Sequence, residues 1–343
     1  MEDLKNLLPN ELRDFMVSLG QPSYRGDQIF SWIHRHFASS FDEMTNLPLP
    51  LRQRLKETAF ITRLNVLSKK EGSKGTVKYL LETHDSNAIE AVRMEYEYGI
   101  TACLSTQAGC MRACSFCASG IAGFVRNLTA SEIVDEALRI QEDVESFGAH
   151  VGNIVLMGTG EPLDNYDASI KALYILNSQL GLGISFRRMT VSTCGVVPGI
   201  RRLAEEEIPV TLSVSLHAPT DDVRQRLMPI NRQYSIAQLM DATAYYRERT
   251  GRRVTFEYAL IRDVNDSDSH AYQLANLLKQ QSAHVNLIPL NPIDERDYMR
   301  PTTARINRFS KILRNASVPV TVRRDLGLDV NAACGQLRRR YCR

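Results

Sequence analysis

The chain has 343 residues, of which 43% are hydrophobic and 24% charged, a balance that fits a soluble globular protein built as one large barrel with a small appendage. A net charge of +3 is too small to mark a nucleic-acid binder by itself. The N-terminus lacks the basic and apolar regions of a secretory signal, and no stretch approaches the ~20 apolar residues of a membrane-spanning helix.

Residues 1–65 read as helical. Ile29, Phe30, Trp32 and Ile33 form a short amphipathic stretch, the prolines Pro48 and Pro50 break it, and a further helix is expected over 51–58. Two apolar runs at 77–82 and 88–94, separated by Thr83-His-Asp-Ser-Asn87, predict a β-hairpin. From about residue 100, runs at 101–105, 153–157, 189–193, 210–215, 253–259, 285–288 and 318–322 predict strands. Helical stretches separate them, such as the one that Thr129 and Glu132 open as a capping box ahead of Ile133, Val134, Ala137 and Leu138. This alternation predicts an α/β fold on a parallel sheet, open or closed. Basic residues cluster at Lys69, Lys70, Lys74 and Lys78, at Arg323 and Arg324, and at Arg338, Arg339 and Arg340; such runs are usually solvated faces unless they surround an active site.

Seven cysteines, four of them between Cys103 and Cys117, suit a metal site in a reducing cytoplasm better than a disulfide framework. Cys110, Cys114 and Cys117 stand in a C-x3-C-x2-C spacing with Phe116 before the last. Three thiolates so close can hold one face of an iron–sulfur cluster and leave one iron open, whereas a structural zinc knot wants a fourth ligand and the nearest downstream histidine is His150. Other polar motifs also end or follow expected strands: Gly158-Thr-Gly-Glu-Pro162, Ser192-Thr-Cys194, Ser215-Leu-His217, Asn291-Pro292 and Ala332-Ala-Cys-Gly-Gln-Leu337. Barrels of this type place their chemistry on that face. Gly160 permits close backbone approach, Glu161 offers a carboxylate for an ammonium group, and Ser192, Ser215, His217 and Asn291 are small polar groups suited to a ribose, carboxylate or adenine. Cys194 and Cys342 read as small hydrophobes, while the small residues flanking Cys334 leave its sulfur approachable.

Taken together, these segments resemble the RlmN/Cfr family of radical S-adenosylmethionine (SAM) RNA methyltransferases. The match includes Gln21-Pro-Ser-Tyr-Arg-Gly-Asp-Gln-Ile-Phe30, Glu90-Ala-Val, Cys103-Leu-Ser-Thr-Gln-Ala-Gly-Cys110, the cysteine loop, Gly160-Glu-Pro-Leu-Asp-Asn165, Met228-Pro-Ile-Asn231 and Asn286-Leu-Ile-Pro-Leu-Asn-Pro292. The resemblance implies a partial (β/α)6 barrel. Its expected divisions are an N-terminal helical accessory domain that binds RNA (1–70), a β-hairpin extension (71–98), a radical SAM core (99–330) and a C-terminal segment carrying a methyl-carrier cysteine (331–343). It implies a [4Fe-4S] cluster on Cys110, Cys114 and Cys117, and two SAM molecules consumed per methylation, bound by Gly160, Glu161, Ser192, Ser215, Leu216, His217 and Asn291. Cys334 is expected to take a methyl group from SAM and to present it, as a radical, to an adenine carbon. Glu90 is expected to accept the ring proton, and Cys103 to attack the sulfur of Cys334, releasing product through a transient disulfide. The implied substrates are 23S rRNA and certain tRNAs. An electron donor such as flavodoxin, a monomeric state and a cytoplasmic location complete the expectation. Pro162 and Pro289 resemble the branch that methylates adenine C2 rather than the C8 resistance enzymes, and Thr159 stands where a bulkier residue such as Met is usual. A zinc-stabilised RNA-binding protein without catalysis is the alternative from another class.

Overall fold

Three helices open the chain: α1 (Pro9–Ser18), α2 (Tyr24–His34) and α3 (Leu49–Thr58). Pro9 and Pro50 lie in the first turns of α1 and α3, where a missing N–H costs nothing. On α2, Ile29, Phe30 and Ile33 face the core as their spacing requires. The computed structural model describes residues 1–121, 123–279, 281–293, 295–323 and 327–337. Arg324, Arg338, Arg339, Arg340 and Cys342, singled out above, lie outside them.

Ten strands then form one sheet whose spatial order is the order of the chain. The first four, β1 (Asn65–Glu71), β2 (Val77–Glu82), β3 (Ala88–Tyr96) and β4 (Gly99–Cys103), pair antiparallel. From β4 onward the pairing is parallel, through β5 (Val151–Leu156), β6 (Met189–Thr193), β7 (Thr211–Ser215), β8 (Val254–Leu260), β9 (Ala283–Pro289) and β10 (Val320–Val322). The crossovers are helical: α4 (Ala130–Glu145), α5 (Tyr166–Asn177), α6 (Val197–Glu205), α7 (Asp221–Leu227) with α8 (Ile236–Thr250), α9 (Asp268–Leu278) and α10 (Thr303–Asn315). Six β/α units closed by a short parallel strand, with β1 and β10 left as edges, make the expected partial barrel. Helices on the outer face require apolar strands, and β8 is buried along nearly its whole length. The capping box of α4 forms as its sequence predicts: the Thr129 side chain accepts from Glu132 N–H and the Glu132 carboxylate accepts from Thr129 N–H.

Strand β1 was not legible. Its residues are almost all exposed and its Lys69-Lys70-Glu71 end is charged, as edge strands tend to be, so no inside–outside alternation marks it. The hairpin formed by β2 and β3 continues directly into the barrel sheet, with Val92 of β3 opposite Cys103 of β4.

The helical N-terminal unit is fastened to the barrel by a buried ion pair. Lys5 is 1% exposed and its Nζ lies 2.5 Å from Oδ1 of Asp135 on α4, whose Oδ2 accepts from Leu64 N–H at 2.6 Å. Removing one partner of such a pair strands the other charge away from water. Lys5→Met is therefore expected to cost about 3 kcal/mol of stability. Arg202→Ala, which breaks the exposed pair with Asp167, should cost less than about 1 kcal/mol. Chemical denaturation of the two variants checks the contrast, and equal losses would refute it.

Candidate active site

The expected strands deliver their motifs to one end of the barrel. The cysteine loop leaves β4 through a small two-stranded clamp, Gln107–Gly109 against Phe124–Asn127. Gly109 has φ 82°, and a Cβ there would lie 1.8 Å from the Gly123 carbonyl oxygen, so the clamp closes only on glycine. Further along, Ser115 N–H donates to the Leu227 carbonyl and Ala118 N–H to the Gly335 carbonyl. Arg112 forms a two-pronged ion pair with Asp164. The loop is thus anchored to the barrel on one side and to the C-terminal segment on the other.

Cys110, Cys114, Cys117, Gly160, Glu161, Ser192, Ser215, His217, Asn291 and Cys334 all line a single cavity. Leu216, expected with them, is buried in the core, and its N–H donates to the Glu257 carbonyl. Gly160 adopts φ 111°, and a Cβ there would lie 2.7 Å from the Gln107 side chain. Thr159 is buried, and its backbone is held on both sides: its N–H donates to Ser105 Oγ at 2.9 Å and its carbonyl accepts from Thr106 N–H. Glu161 is 3% exposed, and both of its carboxylate oxygens accept backbone N–H groups, from Leu163 at 3.0 Å and Cys194 at 2.7 Å. Burial pushes its pKa up. Besides facing the cavity, this carboxylate ties the loop after β5 to the end of β6.

Two charged residues were missed from the sequence. Arg224 on α7 is completely buried, and its guanidinium donates to the carbonyls of Cys194 (2.6 Å), Ser215 (3.2 Å) and Leu216 (3.2 Å) and to Asn231 Oδ1 (3.0 Å). It thereby holds the ends of β6 and β7, which carry Ser192 and Ser215, in register. Nothing in its helical sequence context announces this. Glu257 did leave a signal, a lone carboxylate in the apolar run of β8. Its Oε1 accepts from Ser213 Oγ at 2.7 Å and Asn286 Nδ2 at 3.0 Å, while Oε2 is buried beside the cavity with no hydrogen-bond partner.

The C-terminal segment closes the site. Asn291 Nδ2 donates to the Cys334 carbonyl at 3.2 Å, Arg323 Nη1 donates to Cys334 Sγ at 3.3 Å, and Ser119 Oγ donates to the Leu337 carbonyl. Cys334 is exposed and walls two cavities: the one with the cysteine triple and a second that contains Cys103. Cys103 packs with Val92, Ala332 and Leu337, and burial holds its thiol well above the usual range. Glu90, two positions before Val92 on β3, is 3% exposed and ion-paired with Lys78 Nζ at 2.9 Å. The same ammonium donates to the Asn331 carbonyl at 3.1 Å. The disulfide expected between Cys103 and Cys334 is not formed: every described cysteine is a free thiol, Cys103 being held in an apolar cluster and Cys334 by Arg323.

The cavity fits the groups the motifs imply. Among the described residues, no three Cys, His, Asp or Glu side chains converge on a single ion as a zinc knot requires. Cys110, Cys114 and Cys117 line the wall of one cavity, a placement that suits a larger cluster. Burial pushes all three thiols up, Cys110 to about 11, and bound metal charge is what would ionise them. Glu257 Oε2 and Asn291 Oδ1 are buried acceptors without partners, matched to the hydroxyl, ammonium and amino donors of SAM. His217 Nδ1 accepts from Ala259 N–H at 2.8 Å, so the neutral ring carries its proton on Nε2.

Burial lowers the His217 pKa to about 3. An unfolded histidine titrates near ~6.5, so between these values the unfolded chain binds more protons and stability falls as pH drops. His34, buried with its pKa also depressed, adds to the same trend. Unfolding free energies measured from pH 7 down to pH 4 should therefore decline, less steeply in His217→Asn than in the wild type. An identical slope in the two would show that His217 is not buried neutral.

Residues 104–275 match the radical SAM superfamily, and residues 2–61 match the ribosomal RNA large subunit methyltransferase N-terminal domain. Over 340 residues, the chain is 49% identical to a probable dual-specificity RNA methyltransferase RlmN of Alkaliphilus oremlandii, covering 99% of this chain and 98% of that one. A protein of the same description from Desulforamulus reducens is 48% identical over 99% and 96% of the two chains. The crystal structure of a radical SAM methyltransferase from Sphaerobacter thermophilus superposes with a TM-score of 0.95 at 46% identity, covering 98% of this chain and 99% of that one. With both parts of the chain matched and the relatives aligned end to end, the protein belongs to the RlmN family of radical SAM methyltransferases.

Proposed function

We propose that the protein methylates C2 of an adenosine in 23S rRNA and in certain tRNAs through a cysteine-borne methyl group. The observation that carries this reading is the position of Cys334, whose residue walls both the cavity of the cysteine triple and the cavity of Cys103. A simple methyl transfer needs neither thiol. Adenine C2 lies between two ring nitrogens and is too electron-poor to attack a sulfonium methyl, which is why a radical route is needed. Bound by Cys110, Cys114 and Cys117, a [4Fe-4S] cluster would supply one-electron chemistry to SAM.

The chain's own groups divide the remaining work. The backbone around Gly160 and Glu161 takes the methionine end of SAM, while Ser192, Ser215, His217 Nε2–H, Glu257 and Asn291 offer polar contacts to the rest. Cys334 accepts the methyl group by displacement, with Arg323 orienting its sulfur. Glu90, set by Lys78, takes the proton from the ring carbon. Cys103 attacks the sulfur of Cys334, so that an S–S bond forms as the C–S bond to the product breaks and the product carbon takes up a proton; a thiol reductant then restores both thiols. Pro162 and Pro289 line the two cavities and support the C2 rather than the C8 outcome. The helical N-terminal unit is the natural RNA-binding appendage. Lys70 and Lys74 are exposed and available to phosphates, whereas Lys69 is paired with Asp143 at 2.5 Å. No helix among the described residues is long and apolar enough to cross a membrane. A cytoplasmic monomer reduced by a flavodoxin-like donor fits this reading.

Nucleoside mass spectrometry of RNA from cells with and without the gene should show 2-methyladenosine only in its presence; 8-methyladenosine instead would move the protein to the other branch. Two variants test the covalent route. Cys334→Ala should retain iron and SAM cleavage but transfer no methyl group to RNA. Cys103→Ala should complete addition and fail at release, accumulating a nuclease-sensitive protein–RNA adduct on a denaturing gel. Turnover by Cys103→Ala without adduct would exclude this thiol from product release.

A further inference from the structure

We propose that Tyr98 is a stacking platform for the nucleobase next to the one being methylated. Tyr96 ends β3 opposite Gly99, so Glu97 and Tyr98 form a two-residue turn into β4. The rings of Tyr96 and Tyr98 stack with centroids 4.8 Å apart and planes 8° from parallel. Tyr96 walls the cavity that contains Cys103 and Cys334. Tyr98 does not line that cavity; it is 67% exposed, one face covered by Tyr96 and the other open to solvent. An aromatic stack therefore runs from the cavity of the two reacting sulfurs out to the surface. Arg323, which donates to Cys334 Sγ, is the cation nearest in influence to both rings.

The chemistry of the open face selects its occupant. A base that enters the thiol cavity must leave its own stack, and its neighbour in the strand then loses a stacking partner on one side. An exposed aromatic ring replaces that partner without demanding a particular base. The exposed carboxylate of Glu97, in the turn itself, disfavours a phosphate there, so the contact is with the base and not with the backbone. The turn is polar apart from its two tyrosines, and covering Tyr96 would not by itself require a second ring with an open face. This inference rests on RNA methylation being the activity of the site.

The test uses the cluster-loaded full chain and a substrate tRNA transcript carrying 2-aminopurine immediately 5′ or 3′ of the target adenosine. Binding of the wild type should quench the fluorophore at one of the two positions. Tyr98→Ala should abolish that quench and weaken binding about tenfold, while Tyr98→Phe preserves both. Because no phosphate contact is lost, the slope of log affinity against log salt should be the same in all three proteins. Wild-type quench and affinity in Tyr98→Ala would overturn the proposal, as would a weakened affinity accompanied by a changed salt slope. Unaltered SAM binding and thermal unfolding in Tyr98→Phe keep the comparison independent of folding. Wild-type protein that binds the transcript but transfers no methyl group would defeat the RNA-methylation reading and this proposal with it, whereas normal methylation with no response at either position defeats the platform alone.

Discussion

The buried guanidinium of Arg224 is the interaction on which the arrangement of the site depends. A cation removed from water costs several kcal/mol unless its donors are satisfied, and among the described residues Arg224 forms no carboxylate ion pair. Three backbone carbonyls and one amide oxygen take its protons instead. Desolvation pulls its pKa down, yet a guanidinium stays protonated in any ordinary protein setting. The three carbonyls belong to the ends of β6 and β7, so the charge can be buried only if the two strand ends sit where they do. Glu161 applies the same logic with opposite sign, its carboxylate gathering N–H groups from the turns after β5 and β6. Side by side, the two buried charges fix three consecutive strand ends around one cavity.

Ser105 extends this network toward the cysteine loop. It is completely buried, its hydroxyl donates to the Glu90 carbonyl at 2.7 Å and accepts from Thr159 N–H, and its N–H donates to Glu136 Oε2 at 2.9 Å. β3, the exit from β4 and the loop after β5 therefore move as one piece. Onto this face the C-terminal segment is docked by hydrogen bonds from Lys78, Asn291, Ala118 and Ser119 to its carbonyls and by the packing of Ala332 and Leu337 against Cys103 and Val92. A docked segment, rather than a barrel strand, suits the methyl-carrier role proposed above for Cys334. Cys103, proposed above as the resolving thiol, sits on the strand side, buried and with its thiol pKa raised by that burial.

Much of this was legible in one dimension, and the parts that were share a cause. The cysteine triple, the glycine-bearing turn at Gly160 and the Thr129 capping box are local devices, complete within a few residues, so spacing alone reveals them. The parallel strands were equally plain because apolar residues recur through each of them, with only isolated polar interruptions such as Glu257. β1 escaped because an edge strand facing solvent has no alternation to read. Leu216 was grouped with the cofactor residues by its neighbours in the motif, but strand geometry turns it into the core while Ser215 and His217 line the cavity.

From sequence alone one can determine the alternation of the parallel strands with helices, the cysteine triple and its spacing, the glycine turn and the family to which the chain belongs, since each is written in contiguous residues. Only the tertiary structure decided which distant groups meet: Lys78 with Glu90 and the Asn331 carbonyl 253 positions later, Arg323 with Cys334, Arg224 with the ends of two strands, and Tyr96 with the thiol cavity. The reason is physical. A motif within one loop is set by short-range backbone geometry, whereas the meeting of remote side chains depends on the curvature of the sheet and the packing of its crossovers, and a buried charge reveals its role only when its acceptors are in place around it.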